Sequence, residues 1–100
     1  MTMTYQELLK NSPATLVEFY ATWCPHCRAM APVVEQVKEL LEGRVAVHRF
    51  DIDENSELAD DQAVKSVPTF ILYSDGKEVW RHSGEIDGQA LLVKIETVLR

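Results

Sequence analysis

The sequence predicts an α/β protein in which a central mixed sheet of about four strands is flanked by helices. Apolar runs rich in branched and aromatic residues alternate with segments of helical periodicity along most of the chain. A short polar turn joins the last two strands as an antiparallel hairpin. With 100 residues, of which 46% are hydrophobic, we expect residues 1–100 to form a single domain.

The first helix and the first strand are marked by a cap and by an apolar run. Thr4 stands three residues before Glu7, a capping-box spacing that predicts a short helix over residues 5–11. The run TLVEFYA, residues 15–21, is apolar on both faces, as in a strand covered on both sides of its sheet. Glu18 is the exception in this strand, and a carboxylate there needs a partner.

A long helix and a second strand follow. Pro25 suits the first turn of a helix, apolar residues then recur at helical spacing, and Gly43 ends the element. The run RVAVHRFDI, residues 44–52, predicts a strand. Residues 56–65 contain fewer apolar positions and predict a weaker helix.

The last elements are a hairpin and a helix. TFILY, residues 69–73, predicts a third strand, and the turn SDGK leads into a fourth strand, EVWRHS, at residues 78–83. Residues 86–100 have the periodicity of an amphipathic helix. The predicted order is therefore α-β-α-β-α-β-β-α.

Charge and hydropathy exclude several classes of protein. The formal net charge is −6, from 16 acidic and 10 basic residues, and we therefore expect no nucleic-acid partner, because such binding needs a concentrated positive surface. No apolar stretch approaches the length of a membrane span. The first residues, MTMTYQELLKN, lack the pattern of a secretory signal, which predicts a cytoplasmic protein, and a processed mature form of an exported protein is the alternative.

Both cysteines of the chain lie at the predicted start of the long helix. Cys24 is placed at the helix terminus, where unpaired N–H groups stabilise a thiolate, so it is the candidate nucleophile. Cys27 follows one turn later and can resolve a mixed disulfide formed by Cys24. A structural pair and a metal or iron–sulfur site remain alternatives, although a closed zinc site needs four ligands and only His26 is close in sequence.

The runs LVEFYATWCPHCRAMAP and VPTFILYSDGKEV, together with the later Gly84, resemble the thioredoxin family over nearly the whole chain. The resemblance implies a thioredoxin fold that lacks the family's first edge strand, because the amino-terminal segment is short. It also implies thiol–disulfide exchange with protein substrates by a monomer. Electrons would come from a thioredoxin-reductase-like donor or leave to an oxidising partner, and no cofactor or metal is expected beyond the dithiol.

The resemblance also implies a surface for substrate. In the family the proline that matches Pro68 is cis and faces the dithiol, and Val67 and Pro68 offer backbone to an extended peptide. Trp23, Pro25 and Gly84 complete the expected substrate-binding residues, with Ile86 beside them.

One departure from the family's usual pattern lies between the cysteines. Thioredoxins usually carry Gly-Pro there, whereas this chain has Pro25 and His26, the pair found in DsbA, a bacterial periplasmic disulfide-forming oxidase. A hydrogen bond or positive charge from His26 favours the Cys24 thiolate, so we expect an active site more oxidising than that of a Gly-Pro thioredoxin.

Glu18 and Arg49 replace the Asp and the Lys that are usual in the family. Glu18 is a candidate proton acceptor for Cys27, and a structural ion-paired carboxylate is the alternative. Arg49 on the neighbouring strand is expected to pair with it and hold its pKa down.

Two questions stay open at the level of sequence. The direction of electron flow is undecided, because the expected cytoplasmic location favours a reductase and the Pro-His pair favours an oxidase or isomerase. A non-enzymatic peptide-binding or holdase module on the same fold is the alternative function.

Overall fold

The structure, a computed structural model, describes residues 3–100, and its element order confirms the predicted α/β class. The elements are α1 (Tyr5–Lys10), β1 (Ala14–Tyr20), α2 (Pro25–Leu41), β2 (Ala46–Asp51), α3 (Ser56–Asp61), β3 (Thr69–Ser74), β4 (Lys77–Ser83) and α4 (Gly88–Val98). The capping box at Thr4 is present in both directions, and none of the helices in residues 3–100 is long and apolar enough to cross a membrane.

The four strands form one mixed sheet in the order β2-β1-β3-β4. β1 pairs in parallel with β2 and antiparallel with β3, and β3 and β4 form the predicted hairpin. β1 is therefore a central strand, which explains its apolar run. β2 lies at an edge, and within residues 3–100 no further strand precedes it there, as expected from the short amino-terminal segment.

The sheet is covered on both faces by apolar clusters. α2 and α4 supply Val34, Val37, Leu91 and Ile95 to one cluster, which packs against Leu16 and other residues of the sheet. The second cluster contains Leu9 of α1 and Ala59 of α3. Because both faces are buried, the sheet holds the loops at its ends in fixed positions.

The largest differences between the predicted and the observed helices are in α3 and α4. α3 ends at Asp61 instead of residue 65, and Ala63 has a left-handed φ of 57°, which a continuing helix cannot accommodate. α4 begins at Gly88, two residues later than predicted, because the Asp87 side chain accepts the N–H of Ala90 and caps the helix.

Candidate active site

Cys24 is the residue that caps α2. Its backbone is extended (φ −89°, ψ 115°), Pro25 occupies the first turn, and the backbone N–H of Cys27 donates a hydrogen bond to Cys24 Sγ over 3.1 Å. The sulfur thus takes the place of the side-chain oxygen that usually caps a helix. It faces the partial positive charge of the helix terminus.

Cys27 lies deeper than its position in the helix alone would require. Both thiols are free and buried, and Cys27 is 1% exposed. Burial, a hydrogen bond with Cys24, and the charges of Cys24 and Glu18 raise the pKa of the Cys27 thiol to about 12, although the Ala21 backbone opposes them. Both thiols belong to one buried apolar cluster with Ala21. They differ in their local contacts, because Cys24 caps the helix whereas burial keeps the pKa of Cys27 high.

The loop before β3 and the loop after β4 meet beside the thiols. The Val67–Pro68 peptide bond is cis, and the Cys24 thiol donates to the Val67 carbonyl over 3.7 Å. The backbone N–H of Gly84 donates to the Pro68 carbonyl over 2.8 Å. The fold thus brings together segments that lie far apart in the sequence.

His26 is exposed and turns toward a residue that the sequence did not indicate. Its Nδ1 lies 2.6 Å from Glu85 Oε2, and the side chains are 70% and 48% exposed. Among the hydrogen bonds of residues 3–100, none joins His26 to Cys24. The expected hydrogen bond from the imidazole to the sulfur is therefore not formed in this arrangement, because the carboxylate of Glu85 takes the imidazole instead.

Trp23 lies exposed next to Cys24, with 62% of its surface accessible. Its indole N–H donates to Asp53 Oδ2 over 2.9 Å, which fixes a ring that would otherwise rotate freely. Asp53 lies in the connection between β2 and α3. It holds the aromatic edge of the surface around Cys24.

Glu18 and Arg49 form the ion pair that the sequence predicted. They are register partners on β1 and β2, and Arg49 Nε donates to Glu18 Oε1 over 2.6 Å. Arg49 also stacks over Tyr20, 4.2 Å from the ring centroid. Glu18 is fully buried, and its Oε2 has no hydrogen-bond partner within residues 3–100.

The pKa of Glu18 differs from the expectation. Burial raises it, and the hydrogen bond and charge of Arg49 lower it, but burial is the larger effect. The expected net lowering is therefore wrong in sign. A carboxyl with a raised pKa beside Cys27 is better able to accept a proton at neutral pH than a strongly acidic one.

A small open cavity of about 210 Å³ is lined by Cys27 and Arg49, among other residues. A larger surface cavity, about 490 Å³, lies between α2 and β2 and includes neither cysteine. Within residues 3–100, no three His, Cys, Asp or Glu side chains are grouped so that they could hold a metal ion.

The fold and the site together define a class of protein, in which an α/β sheet presents a Cys-x-x-Cys pair at a helix start, opposite a cis proline. Residues 1–97 match the family described as Thioredoxin. The chain belongs to the thioredoxin family.

Individual relatives agree with this membership. Chloroplastic thioredoxin Y2 of Arabidopsis thaliana is 38% identical over 98 residues, which are 97% of this chain and 59% of that protein. Chloroplastic thioredoxin Y of Oryza sativa subsp. japonica is 34% identical over 96% of this chain and 58% of that protein. The chain thus spans less than two thirds of the length of these relatives.

The fold is shared with solved thioredoxins. The structure of a mutant thioredoxin from Halobacterium salinarum NRC-1 superimposes with a TM-score of 0.87, at 35% identity, over 99% of this chain and 88% of that chain. A further relative, the bifunctional thioredoxin reductase/thioredoxin of Mycobacterium leprae, is 35% identical over 95% of this chain and 21% of its own length.

The predicted cytoplasmic location is wrong by these comparisons, because the similar thioredoxins of Arabidopsis and rice are chloroplastic proteins. That prediction used the first residues alone. The amino-terminal residues of a chain do not define its compartment, because targeting segments are removed from mature proteins.

The structure brings together Cys24, Cys27, Val67 and Pro68, whereas the sequence did not indicate the two residues that hold the exposed side chains of the site. Asp53 lies in the connection between β2 and α3, and Glu85 lies in the connection between β4 and α4. A usable signal for Glu85 existed, since it directly follows Gly84, which the resemblance had assigned to the substrate surface.

Proposed function

We propose that residues 1–100 act as a single-domain, monomeric thiol–disulfide oxidoreductase in which Cys24 attacks and Cys27 resolves. The observation that carries this proposal is the position of Cys24 Sγ, which caps α2 by accepting the Cys27 N–H. A sulfur at a helix terminus is stabilised as a thiolate, and the thiolate is the nucleophile in exchange.

The reaction has two exchange steps. The Cys24 thiolate attacks a substrate disulfide, forms a mixed disulfide and releases one substrate sulfur as a thiolate. Cys27 then loses its proton and attacks Cys24 Sγ, so that the Cys24–Cys27 disulfide forms and the second substrate sulfur leaves. The substrate has gained two electrons, and its two sulfurs take up one proton that Cys27 has lost and one from solvent. The same steps in reverse oxidise a substrate dithiol.

The substrate surface follows from the residues around Cys24. Trp23 and Pro25, the chain neighbours of Cys24, are exposed, and the Val67 carbonyl contacts Cys24 Sγ. Gly84 is bonded to the buried Pro68, and Ile86 is half-buried. An extended peptide laid along this surface would place its disulfide against Cys24 and could pair with the Val67 backbone.

Protein thiols and disulfides are the proposed substrates, and a reductase of the thioredoxin-reductase kind is the proposed electron donor. The relative from Mycobacterium leprae, whose name combines the two activities, supports this pairing. The experiment is the reduction of insulin by the protein with dithiothreitol as donor, beside the reoxidation of reduced ribonuclease. If the protein catalyses neither reaction, the proposed function is contradicted. If it catalyses both, their relative rates give the preferred direction of electron flow.

Glu18 is proposed as the proton acceptor for Cys27, and Glu18→Gln tests it. An amide cannot take the proton, so we expect release of the mixed disulfide to slow by about tenfold or more, with its formation nearly unchanged. Rapid-quench measurement of the two steps separates them. An equal effect on both steps, or none on release, would remove Glu18 from the mechanism.

His26 is proposed to make the pair more oxidising than one with proline at that position. We expect His26→Pro to shift the equilibrium with glutathione toward the disulfide form by about tenfold, because an imidazole near the thiolate favours the reduced state. Equilibration in glutathione buffers, with the free thiols counted after acid quenching, measures it. Identical equilibrium constants would rule out this role.

A further inference from the structure

Glu85 occupies a position from which it controls His26. The Nδ1–Oε2 distance of 2.6 Å is short for a nitrogen–oxygen hydrogen bond, so the two side chains are in direct contact. His26 belongs to the first turn of α2 and Glu85 to the loop after β4, so the pair links two segments on opposite sides of the surface around Cys24. The exchange steps proposed for Cys24 and Cys27 do not use this pair.

The loop that carries Glu85 is itself held in place. The backbone carbonyl of Glu85 accepts a hydrogen bond from His82 Nε2 over 3.3 Å. The N–H of the preceding Gly84 donates to the Pro68 carbonyl. Gly84 has a φ of +97°, a conformation that favours glycine and directs the chain from β4 into this loop. The carboxylate is thus presented to His26 by backbone that is fixed on both sides.

A side chain held by Glu85 cannot at the same time give its Nδ1–H to the thiolate. Cys24 Sγ has hydrogen-bonding contacts with Cys27 N–H and the Val67 carbonyl, and none with His26 within residues 3–100. The negative charge of Glu85 also offsets the positive charge of a protonated imidazole as felt by Cys24. Both effects weaken the stabilisation of the reduced form that His26 could supply.

We propose that Glu85 is a positioning residue that draws His26 away from Cys24 and so limits the oxidising power of the Cys24–Cys27 pair. This inference rests on the proposed exchange function. The Pro25-His26 sequence therefore raises the oxidising power of the pair less than it would without Glu85, because the Glu85 carboxylate competes with the Cys24 thiolate for the imidazole.

The expected effect is modest because the pair is exposed. Surface ion pairs are screened by water and salt, and their energies are small. We therefore expect removal of the Glu85 charge to change the equilibrium constant with glutathione by about three- to fivefold, toward the reduced dithiol and glutathione disulfide. In that equilibrium, two glutathione thiols supply the two electrons and two protons that reduce the Cys24–Cys27 disulfide.

The test is a double-mutant cycle of Glu85→Gln and His26→Pro, read as the equilibrium constant with glutathione at neutral pH. We expect Glu85→Gln to make the wild-type site more oxidising and to have no effect in the His26→Pro background. Glu85→Asp should lie close to wild type if its shorter carboxylate still reaches the imidazole. Glu96→Gln, which removes an exposed carboxylate of α4, controls for the change in net charge.

Each outcome decides something. An unchanged or less oxidising Glu85→Gln site would overturn the proposal, as would an equal shift in the His26→Pro background, which would show that Glu85 acts without His26. Thermal unfolding of each variant checks that the fold is retained. If wild type reaches a glutathione equilibrium but catalyses neither insulin reduction nor ribonuclease reoxidation, the proposed function fails while the role of Glu85 can still be measured.

Discussion

The Cys24→Ser variant is expected to lose roughly a thousandfold or more of the rate of insulin reduction. A serine hydroxyl can accept the same N–H of Cys27 that Cys24 Sγ accepts, so the start of α2 should be preserved. It is not ionised at neutral pH and cannot form a disulfide. The loss would therefore reflect the missing nucleophile and not a changed fold, and circular dichroism with thermal unfolding would verify this.

The matched variant is Cys27→Ser, which keeps the nucleophile and removes the resolving thiol. We expect it to accumulate a mixed disulfide between Cys24 and the substrate, visible on a non-reducing gel and absent from Cys24→Ser. A holdase function on the same surface predicts that neither substitution matters. Both variants should then suppress aggregation of an unfolded client protein as well as wild type does. Full exchange activity in Cys24→Ser would contradict the assigned nucleophile.

The second large effect is expected on stability. Arg49→Leu removes the partner of a carboxylate that is 0% exposed, and breaking a buried pair from one side leaves an uncompensated charge. We expect a loss of about 3 kcal/mol in the free energy of unfolding at neutral pH. Urea denaturation followed by tryptophan fluorescence measures it.

The dependence of this loss on pH identifies its cause. Burial already raises the pKa of Glu18 in the folded protein, and loss of Arg49 raises it further, so the folded state holds the proton more tightly than the unfolded state. The variant should therefore approach wild-type stability below the ordinary carboxyl pKa and lose stability as the pH rises through the folded pKa. Glu18→Gln/Arg49→Leu should recover most of the loss. A deficit of the same size at every pH would instead indicate lost packing of Arg49 on Tyr20.

The sequence was most informative where local chemistry decides structure. The apolar run of β1, the hairpin turn and the capping box all act over a few residues, and each was found where predicted. The dithiol could be placed because the position of Cys24 at the start of α2 follows from Pro25 and the helical periodicity after it. The Glu18–Arg49 pair could be predicted because the two residues lie on adjacent parallel strands. The direction of the pKa shift of Glu18 could not, because it depends on how deeply the whole fold buries the carboxyl group.

The remaining features depend on contacts between distant residues on the surface. His26 lies 59 positions before Glu85, and Trp23 lies 30 positions before Asp53. These contacts join irregular loops, where neither periodicity nor strand register relates one side chain to another. The end of α3 was not predicted because Ala63 adopts a left-handed conformation, and alanine is not a residue type that favours it.

The sulfur that reacts is also the sulfur that caps α2, and this links redox state to folding. In the oxidised form, Cys24 Sγ is bonded covalently to Cys27 Sγ, and a disulfide sulfur is a weaker acceptor for the Cys27 N–H than a thiolate is. The reduced and oxidised proteins and their unfolded forms make a closed thermodynamic cycle, so the difference between the two unfolding free energies equals the difference in redox free energy between the folded and the unfolded dithiol. A change that strengthens the first turn of α2 only in the reduced state must therefore make the folded disulfide a stronger oxidant, even without touching a substrate.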